Sequence, residues 1–510
     1  MPVPSSTPLA EVEALTAALG RPLRVLHIGN IANNGFNNAR IQRAHGVAAD
    51  VLCADNYHIM ATPEWEEAPI RERPADDFFP DWGAVDLGNY RRPRWFAAAP
   101  LADACRYLEA YAGGDDEGAE RLWRVMERER HILCSRRLPS RSRFFIRKIG
   151  LKLAYERKKV EIRLGLHQAR VEDEARLHGA LHLAAIKRLW GEQKGEWPFP
   201  AKAEDFAHYW ERIAPVARLL PHYDIIQGYA QDGIWALLMG RAYAAYEHGT
   251  LRQLPFEDHA VGRLVALVYG LADQVFVTNS DVLPSIARLG LEAQRVHCLP
   301  HAFDEQKLTG WRDAHPAIIP ASDEVVFFSP TRQHWRDADM SLTKGNDIML
   351  HAAGRLWASG RRFRIILVEW GQDVVASKQL IHALGLDQAV RWVPPMGKQD
   401  LWRAYCFSHA VLDQFVLPAL GGVGFETLAL GCRLISRTDP PTLAGFFGAS
   451  PPVLPAASID DVAASLARVI DDPQDNAAIG PAGRVWIETY HSARRIVAMQ
   501  AQAYQTMIKA

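Results

Sequence analysis

Residues 410–436 constrain the chain more than any other stretch. A short apolar strand, Ala410 to Leu412, runs into a loop carrying Gly421 and Gly422. The loop opens a helix from about Val423 to Leu430, which stops at Gly431 before a strand over Arg433 to Ser436. Strand, glycine loop, helix and strand make one unit of an α/β domain with a parallel sheet. Glycine lets backbone come close to a ligand, and the N–H groups of a helix start suit a phosphate. Glu426 reads as part of the first helical turn, where the dipole favours a carboxylate. A carboxylate accepts two hydrogen bonds, so it also fits a ribose diol beside that phosphate. An ordinary strand–loop–helix with Glu426 as a surface acid matches the local pattern equally well, because a glycine loop alone is a weak signal.

The bulk numbers remove several function classes. At about 150 residues per domain, a chain of 510 residues holds two to four. The hydrophobic fraction of 48% and the charged fraction of 23% are those of a globular protein. A net charge of −1 gives no global field toward nucleic acid or membrane. The six cysteines (Cys53, Cys105, Cys134, Cys298, Cys406, Cys432) include no Cys-x-x-Cys pair, so they read as reduced thiols of a cytoplasmic chain rather than a zinc site. The first residues lack a basic region followed by an apolar core, which leads us to expect no signal peptide. No apolar run reaches the roughly 18 residues of a membrane span.

The first half begins with a compact strand, Arg24 to Ile28, then a turn from Gly29 to Gly35 and a helix from about Asn37. This is how a Rossmann-like half starts, although it is not Gly-x-Gly-x-x-Gly. Gly29, Asn34 and Gly35 either line a ligand cleft or form a plain β–α turn. Residues 60–215 break the α/β rhythm and read as a largely helical insertion. Within it, Arg121 to Arg163 holds fifteen Lys/Arg against four Asp/Glu. That excess is either a peripheral contact with anionic lipid or a polyanionic acceptor, or a solvated helical face. No nucleic-acid module accompanies it. The rhythm returns at Tyr223 to Gly228. A further strand then ends in Glu247-His248-Gly249, placing the His248 imidazole at the carboxyl end of a strand, where open α/β sheets bind ligands.

The second half follows a Pro-bearing linker over 310–323. A buried strand, Val325 to Ser329, leads to Arg332, and Thr343-Lys344-Gly345 starts a helix that runs through about Trp357. Arg332 and Lys344 are suited to a concentrated negative charge, one as a fork and the other as a point charge. Asp337-Ala-Asp339 lies between them and reads as a chance string rather than a metal site. Strands at 364–368 and 390–393 follow. The loop at Pro395 and Met396 is positioned to frame a base, and a closing helix is expected over about 482–508.

Taken together, these motifs resemble the retaining GT-B glycosyltransferases of the large family-four group. Glu426 and Gly431 to Ile435 match the tail of that family's nucleotide-sugar motif, whereas Pro418 stands where its first glutamate is found. The resemblance implies an α/β GT-B fold, with two Rossmann-like domains facing a cleft and a helical insertion in the first. The expected domains are an acceptor-side domain over 1–309, a nucleotide-sugar domain over 310–482, and a helix over 483–510 that crosses back to the first. It implies sugar transfer from a UDP- or GDP-linked donor to a glycan, lipid-linked or protein acceptor, without a metal or other cofactor. His248, Arg332 and Lys344 are the expected catalytic residues. Gly29, Gly35, Gly345, Pro395, Met396, Leu420, Gly421, Gly422, Val423 and Glu426 are the expected donor-binding residues. Pro418 keeps a second reading open, a non-catalytic nucleotide- or glycan-binding scaffold. A sugar epimerase of the same fold is a third.

Overall fold

The computed structural model describes residues 9–70, 74–76, 78–134, 199–315, 324–337, 343–472 and 478–509. Most of the basic stretch 121–163, residue 339 of the Asp-x-Asp string and residues 316–323 of the expected linker lie outside them. The chain divides into two units. One holds 1–276, 288–296 and 501–510, and the other holds 277–287 and 297–500.

The first sheet contains β1 (Arg24–Ile28), β2 (Ala48–Ala54), β3 (Phe96–Ala99), β4 (Ile225–Tyr229), β5 (Tyr243–Tyr246), β6 (Gln274–Val277) and β7 (Val296–Cys298), in the order β3-β2-β1-β4-β5-β6-β7. β1 pairs in parallel with β2 on one side and β4 on the other, with Ile28 opposite Leu52 and Gly228. The second sheet contains β8 (Val326–Ser329), β9 (Arg364–Val368), β10 (Val390–Val393), β11 (Ala410–Leu412), β12 (Leu434–Ser436) and β13 (Leu454–Pro455), in the order β10-β9-β8-β11-β12-β13. Each is a Rossmann-like sheet, in which strand order reverses beside the first strand. The crevice beyond the carboxyl ends of the two strands at the reversal is where such sheets hold ligands. The fold is α/β throughout, and its strands read as near-continuous apolar runs because parallel strands are covered on both faces. Phe327, Ile365, Leu412 and Ile435 from four strands of the second sheet pack with Met349 and Leu466 from flanking helices.

The described part of the span 60–215, read as a largely helical insertion, also contains β3, which pairs with β2 from Val51↔Phe96 to Ala54↔Ala99. Ala97 to Ala99 carry helix propensity, but their small side chains are buried or half-buried in the sheet. Residue 310 is not a linker position. It lies inside helix Glu305–Ala314, whose start is capped by the Asp304 carboxylate accepting the Lys307 N–H at 3.0 Å. The closing helix is two helices, Ile479–Tyr490 and Ala493–Lys509. The chain breaks at His491 because its ring is fully buried, 4.0 Å from the Phe425 ring centroid, and because the Glu305 carboxylate caps the second helix at the Ala493 N–H, 2.8 Å away. The last turns of that helix belong to the first unit. There the Tyr504 hydroxyl donates to Gln227 at 2.5 Å and accepts from Gln42 at 3.1 Å.

Helix Gly422–Ala429 is held from behind by helix Ile479–Tyr490. A Cβ on Gly480 would sit 2.1 Å from the Gly431 carbonyl oxygen, and one on Gly483 would sit 2.8 Å from Leu428 Cδ2. Gly480→Ala therefore forces a backbone atom to move. The expected cost is about 2 kcal/mol, within the range for overpacked sites, read as a lower urea midpoint at unchanged slope.

Candidate functional site

In the second unit, Arg332, Lys344 and Gly345 follow β8, and Leu420 to Val423 follow β11, the two strands at the reversal point. Lys344 is fixed by its backbone to both sides of that point. Its N–H donates to the His334 carbonyl, beyond β8, at 2.7 Å, and its carbonyl accepts the Phe415 N–H, beyond β11, at 2.9 Å. Gly345 follows at φ +68°, where a Cβ would lie 3.0 Å from both Phe415 Cβ and Val416 Cγ2, so glycine is required by both conformation and space. Helix Asn346–Ala358 starts there, and Asn346 accepts the His334 N–H at 3.1 Å. Arg332 lies in the same loop after β8, two residues before His334. The Arg332 guanidinium is half-buried, and burial lowers its pKa.

The Lys344 ammonium donates to Gln414 Oε1 at 3.2 Å, and the Gln414 amide in turn donates to the Ala419 carbonyl. Gln414 is buried, and its own carbonyl accepts the Arg437 N–H at 2.8 Å. This chain of hydrogen bonds joins the cation to Leu420, Gly421, Gly422 and Val423. Gly421 is the cap residue of helix Gly422–Ala429, and it has no side chain with which to cap the helix start. A Cβ at either Gly421 or Gly422 would meet nothing within 4 Å, so the space before the helix is open.

Glu426 is the fifth residue of the helix, one further along than the sequence suggests and just past the first turn, since the helix begins at Gly422. Its carboxylate is buried and forms an ion pair with Lys398, itself mostly covered. Lys398 begins helix Lys398–Phe407 directly after the loop of Pro395 and Met396, so the pair draws that half-buried loop toward Glu426. A ribose diol at Glu426 would have to share the carboxylate with Lys398 or displace it.

Sequence reasoning passed over three of these groups: Gln414, Lys398 and Asp413. Gln414 and Asp413 are consecutive polar residues at the end of a buried strand, which was the available signal. The pairing of Lys398 with Glu426 spans 28 residues and left no local signal. Asp413 is 4% exposed. Burial pushes its carboxyl up to about 6. Lys344 opposes that shift and Glu426 adds to it, so Asp413 lies within the electrostatic reach of both.

In the first unit, Gly29 and Gly35 form the turn after β1. Gly29 has φ +98°, and a Cβ there would lie 2.4 Å from Asp232 Oδ2. A Cβ on Gly35 would lie 2.3 Å from the Gly29 carbonyl oxygen. Between them Ala32 and Asn33 are left-handed, at φ 50° and 55°. That conformation costs a non-glycine residue energy and clusters at functional positions. Asn30 holds the turn by accepting the Phe36 N–H at 2.8 Å and donating to the Ala61 carbonyl at 2.8 Å. His248 follows β5. Its Nδ1 lies 3.3 Å from Thr250 Oγ1, while its Nε2 is buried without a hydrogen-bond partner among the described residues. Burial holds the imidazole neutral, with its pKa pulled down to about 4. Gly29, Gly35 and His248 thus lie in the first unit, and every other expected site residue lies in the second.

Among the described residues, no group of three or more His, Cys, Asp or Glu side chains is placed to hold a metal ion. Asp337 of the Asp-x-Asp string is engaged with His334 at 3.1 Å.

A protein family described as Glycosyl transferase-like matches residues 343–501, which take in Lys344, Asp413, Glu426 and the whole glycine loop. No curated protein sequence matches the chain. Among solved structures, Anabaena Alr3699/HepE in complex with UDP is 16% identical, with a TM-score of 0.47 over 59% of this chain and 84% of that one. Sucrose-phosphate synthase from Thermosynechococcus elongatus is also 16% identical, with a TM-score of 0.45 over 59% and 79%. The chain thus carries two Rossmann-like sheets, and most of the second lies within the stretch that the Glycosyl transferase-like family matches.

Asp413 gives a pH prediction. Its folded pKa of about 6 lies above the ordinary carboxylate value of 3.8. Its contribution to stability is therefore full below the lower value and is lost as pH rises through the higher one. Asp413→Asn, which stays neutral, is expected to be more stable than the parent at pH 8 by on the order of 2 kcal/mol. The difference should vanish by about pH 4, in urea unfolding series at the two pH values.

Proposed function

We propose that the chain is a glycosyltransferase that moves a sugar from a UDP- or GDP-linked donor onto a glycan, lipid-linked or protein acceptor. The observation that carries the reading is the bonded run Lys344–Gln414–Ala419, which fixes a cation beside an open, glycine-lined helix start at the sheet's reversal point. A departing diphosphate gathers negative charge. A held ammonium, the Arg332 guanidinium and the N–H groups of Gly422 to Gly424 are the donors that stabilise such charge without having to reorganise. This donor set does the work without a metal ion. Glu426 takes the nucleoside sugar, with Lys398 shifting from the carboxylate toward the ligand, and the loop of Pro395 and Met396 borders the base. In the first unit the neutral His248, with its Nε2 unengaged, can accept a hydrogen bond from an acceptor hydroxyl. Retention at the anomeric carbon is part of the proposal by resemblance to family-four enzymes.

Cys53, Cys105, Cys298, Cys406 and Cys432 are free thiols, which suits the cytoplasm. No helix among the described residues is long and apolar enough to cross a membrane. A peripheral contact through 121–163 stays part of the proposal.

One observation favours a second reading, a nucleotide-binding scaffold without turnover: no carboxylate stands at Pro418, and the one at Glu426 is already paired. Calorimetric titration with UDP and GDP, run alongside a panel of their sugar conjugates, separates the two. The transferase reading expects binding of one nucleotide together with transfer or slow donor hydrolysis. Lys344→Ala should lower that turnover by about 10²-fold, the usual loss for one oxyanion-type donor. Binding with no turnover across the panel would establish the scaffold. Absence of both binding and turnover would remove both readings.

A further inference from the structure

Behind the helix that carries Glu426, two cysteines face each other. Cys406 lies near the end of helix Lys398–Phe407, and Cys432 lies just past the end of helix Gly422–Ala429. Their sulfurs are 3.9 Å apart, and the Cys432 thiol is shared between Cys406 Sγ and the Leu430 carbonyl oxygen at 3.8 Å. Cys432 is anchored by its N–H to the Thr427 carbonyl at 2.9 Å. Arg312, from helix Glu305–Ala314, lies beside both sulfurs. Cys53, Cys105 and Cys298 are free and have no second sulfur in bonding reach among the described residues.

We propose that Cys406 and Cys432 form an oxidisable dithiol, and that a small peroxide converts it to a disulfide linking the two helices that carry Lys398 and Glu426. The geometry favours this chemistry. A disulfide needs the sulfurs to close from 3.9 Å to about 2.05 Å, a movement that side-chain rotation at two neighbouring cysteines can supply. The roles are unequal. Cys432 donates to Cys406 and Arg312 adds positive charge, so Cys406 is the sulfur whose thiolate is favoured, while Cys432 is held protonated. A favoured thiolate with a second thiol in reach is the arrangement of attacking and resolving cysteines.

The steps balance. The Cys406 thiolate attacks one peroxide oxygen, so that an S–O bond forms, the O–O bond breaks and the departing hydroxide takes up a proton as water. Cys432 then attacks Cys406 Sγ. The S–S bond forms, the S–O bond breaks, and the leaving hydroxide carries off the Cys432 proton as a second water. Two thiols are oxidised and one peroxide is reduced. Cys406 is 2% exposed and Cys432 8%, which restricts the oxidant to a molecule little larger than water.

The test uses the full chain treated with a small molar excess of hydrogen peroxide, then denatured, alkylated and mapped by peptide mass spectrometry. The expected product is a cross-linked Cys406–Cys432 peptide that dithiothreitol releases, with Cys53, Cys105 and Cys298 alkylated. Cys432→Ser should leave the first step intact and yield a dimedone adduct at Cys406, whereas Cys406→Ser should yield neither adduct nor cross-link. Recovery of both residues as alkylated thiols from peroxide-treated, still-folded wild-type chain would overturn the proposal, as would cross-linking to other cysteines instead. The mapping reads sulfur chemistry alone, so it stands whether or not the chain proves to transfer sugar.

Discussion

Everything in the second unit turns on the peptide groups of Lys344. A parallel sheet whose order reverses leaves a gap between two strand ends, and the gap would open if nothing tied the loops beyond it. Lys344 ties them, with its N–H on the β8 side and its carbonyl on the β11 side. Because the backbone is committed, the side chain is delivered to one place. Gln414 fixes it there at the cost of burying an amide whose polar atoms are both engaged. The cation is thus positioned by the fold itself, and the donor-site reading depends on that.

The carboxylates around this cation follow from the same geometry. Asp413 directly follows β11, its N–H bonded to the Ile435 carbonyl at 3.1 Å, and burial raises its carboxyl to about 6. Glu426 is held in an ion pair by Lys398. A buried ion pair of this kind adds little net stability, but breaking it by removing one partner is costly. It holds the 394–398 loop against the helix until something competes for the charge.

Much of the fold was legible in the sequence because parallel strands need no partner pattern to announce themselves. Arg24–Ile28, Arg364–Val368, Val390–Val393 and Ala410–Leu412 were read to the residue from apolar runs alone. What escaped shares a different cause. The Phe96–Ala99 strand is made of good helix formers, and only its neighbour β2 makes it a strand. The break at His491 is set by Glu305, 188 residues earlier than the amide it caps. Lys398 gains meaning only when Glu426 is beside it. In the site, glycines and cations were visible as types at the right end of a strand. Partners joined by tertiary contact, such as Gln414, were not.

Glycine serves two opposite purposes in this chain. At Gly29, Gly345 and Gly480 a methyl group would strike neighbouring atoms, so those positions are dictated from within. At Gly421 and Gly422 a methyl group would meet nothing, and neither residue has a positive φ. Folding therefore places no steric demand on those two positions. Any intolerance they show to a bulkier residue would be a measure of visitors from solution, which makes them natural reporters of what the crevice admits.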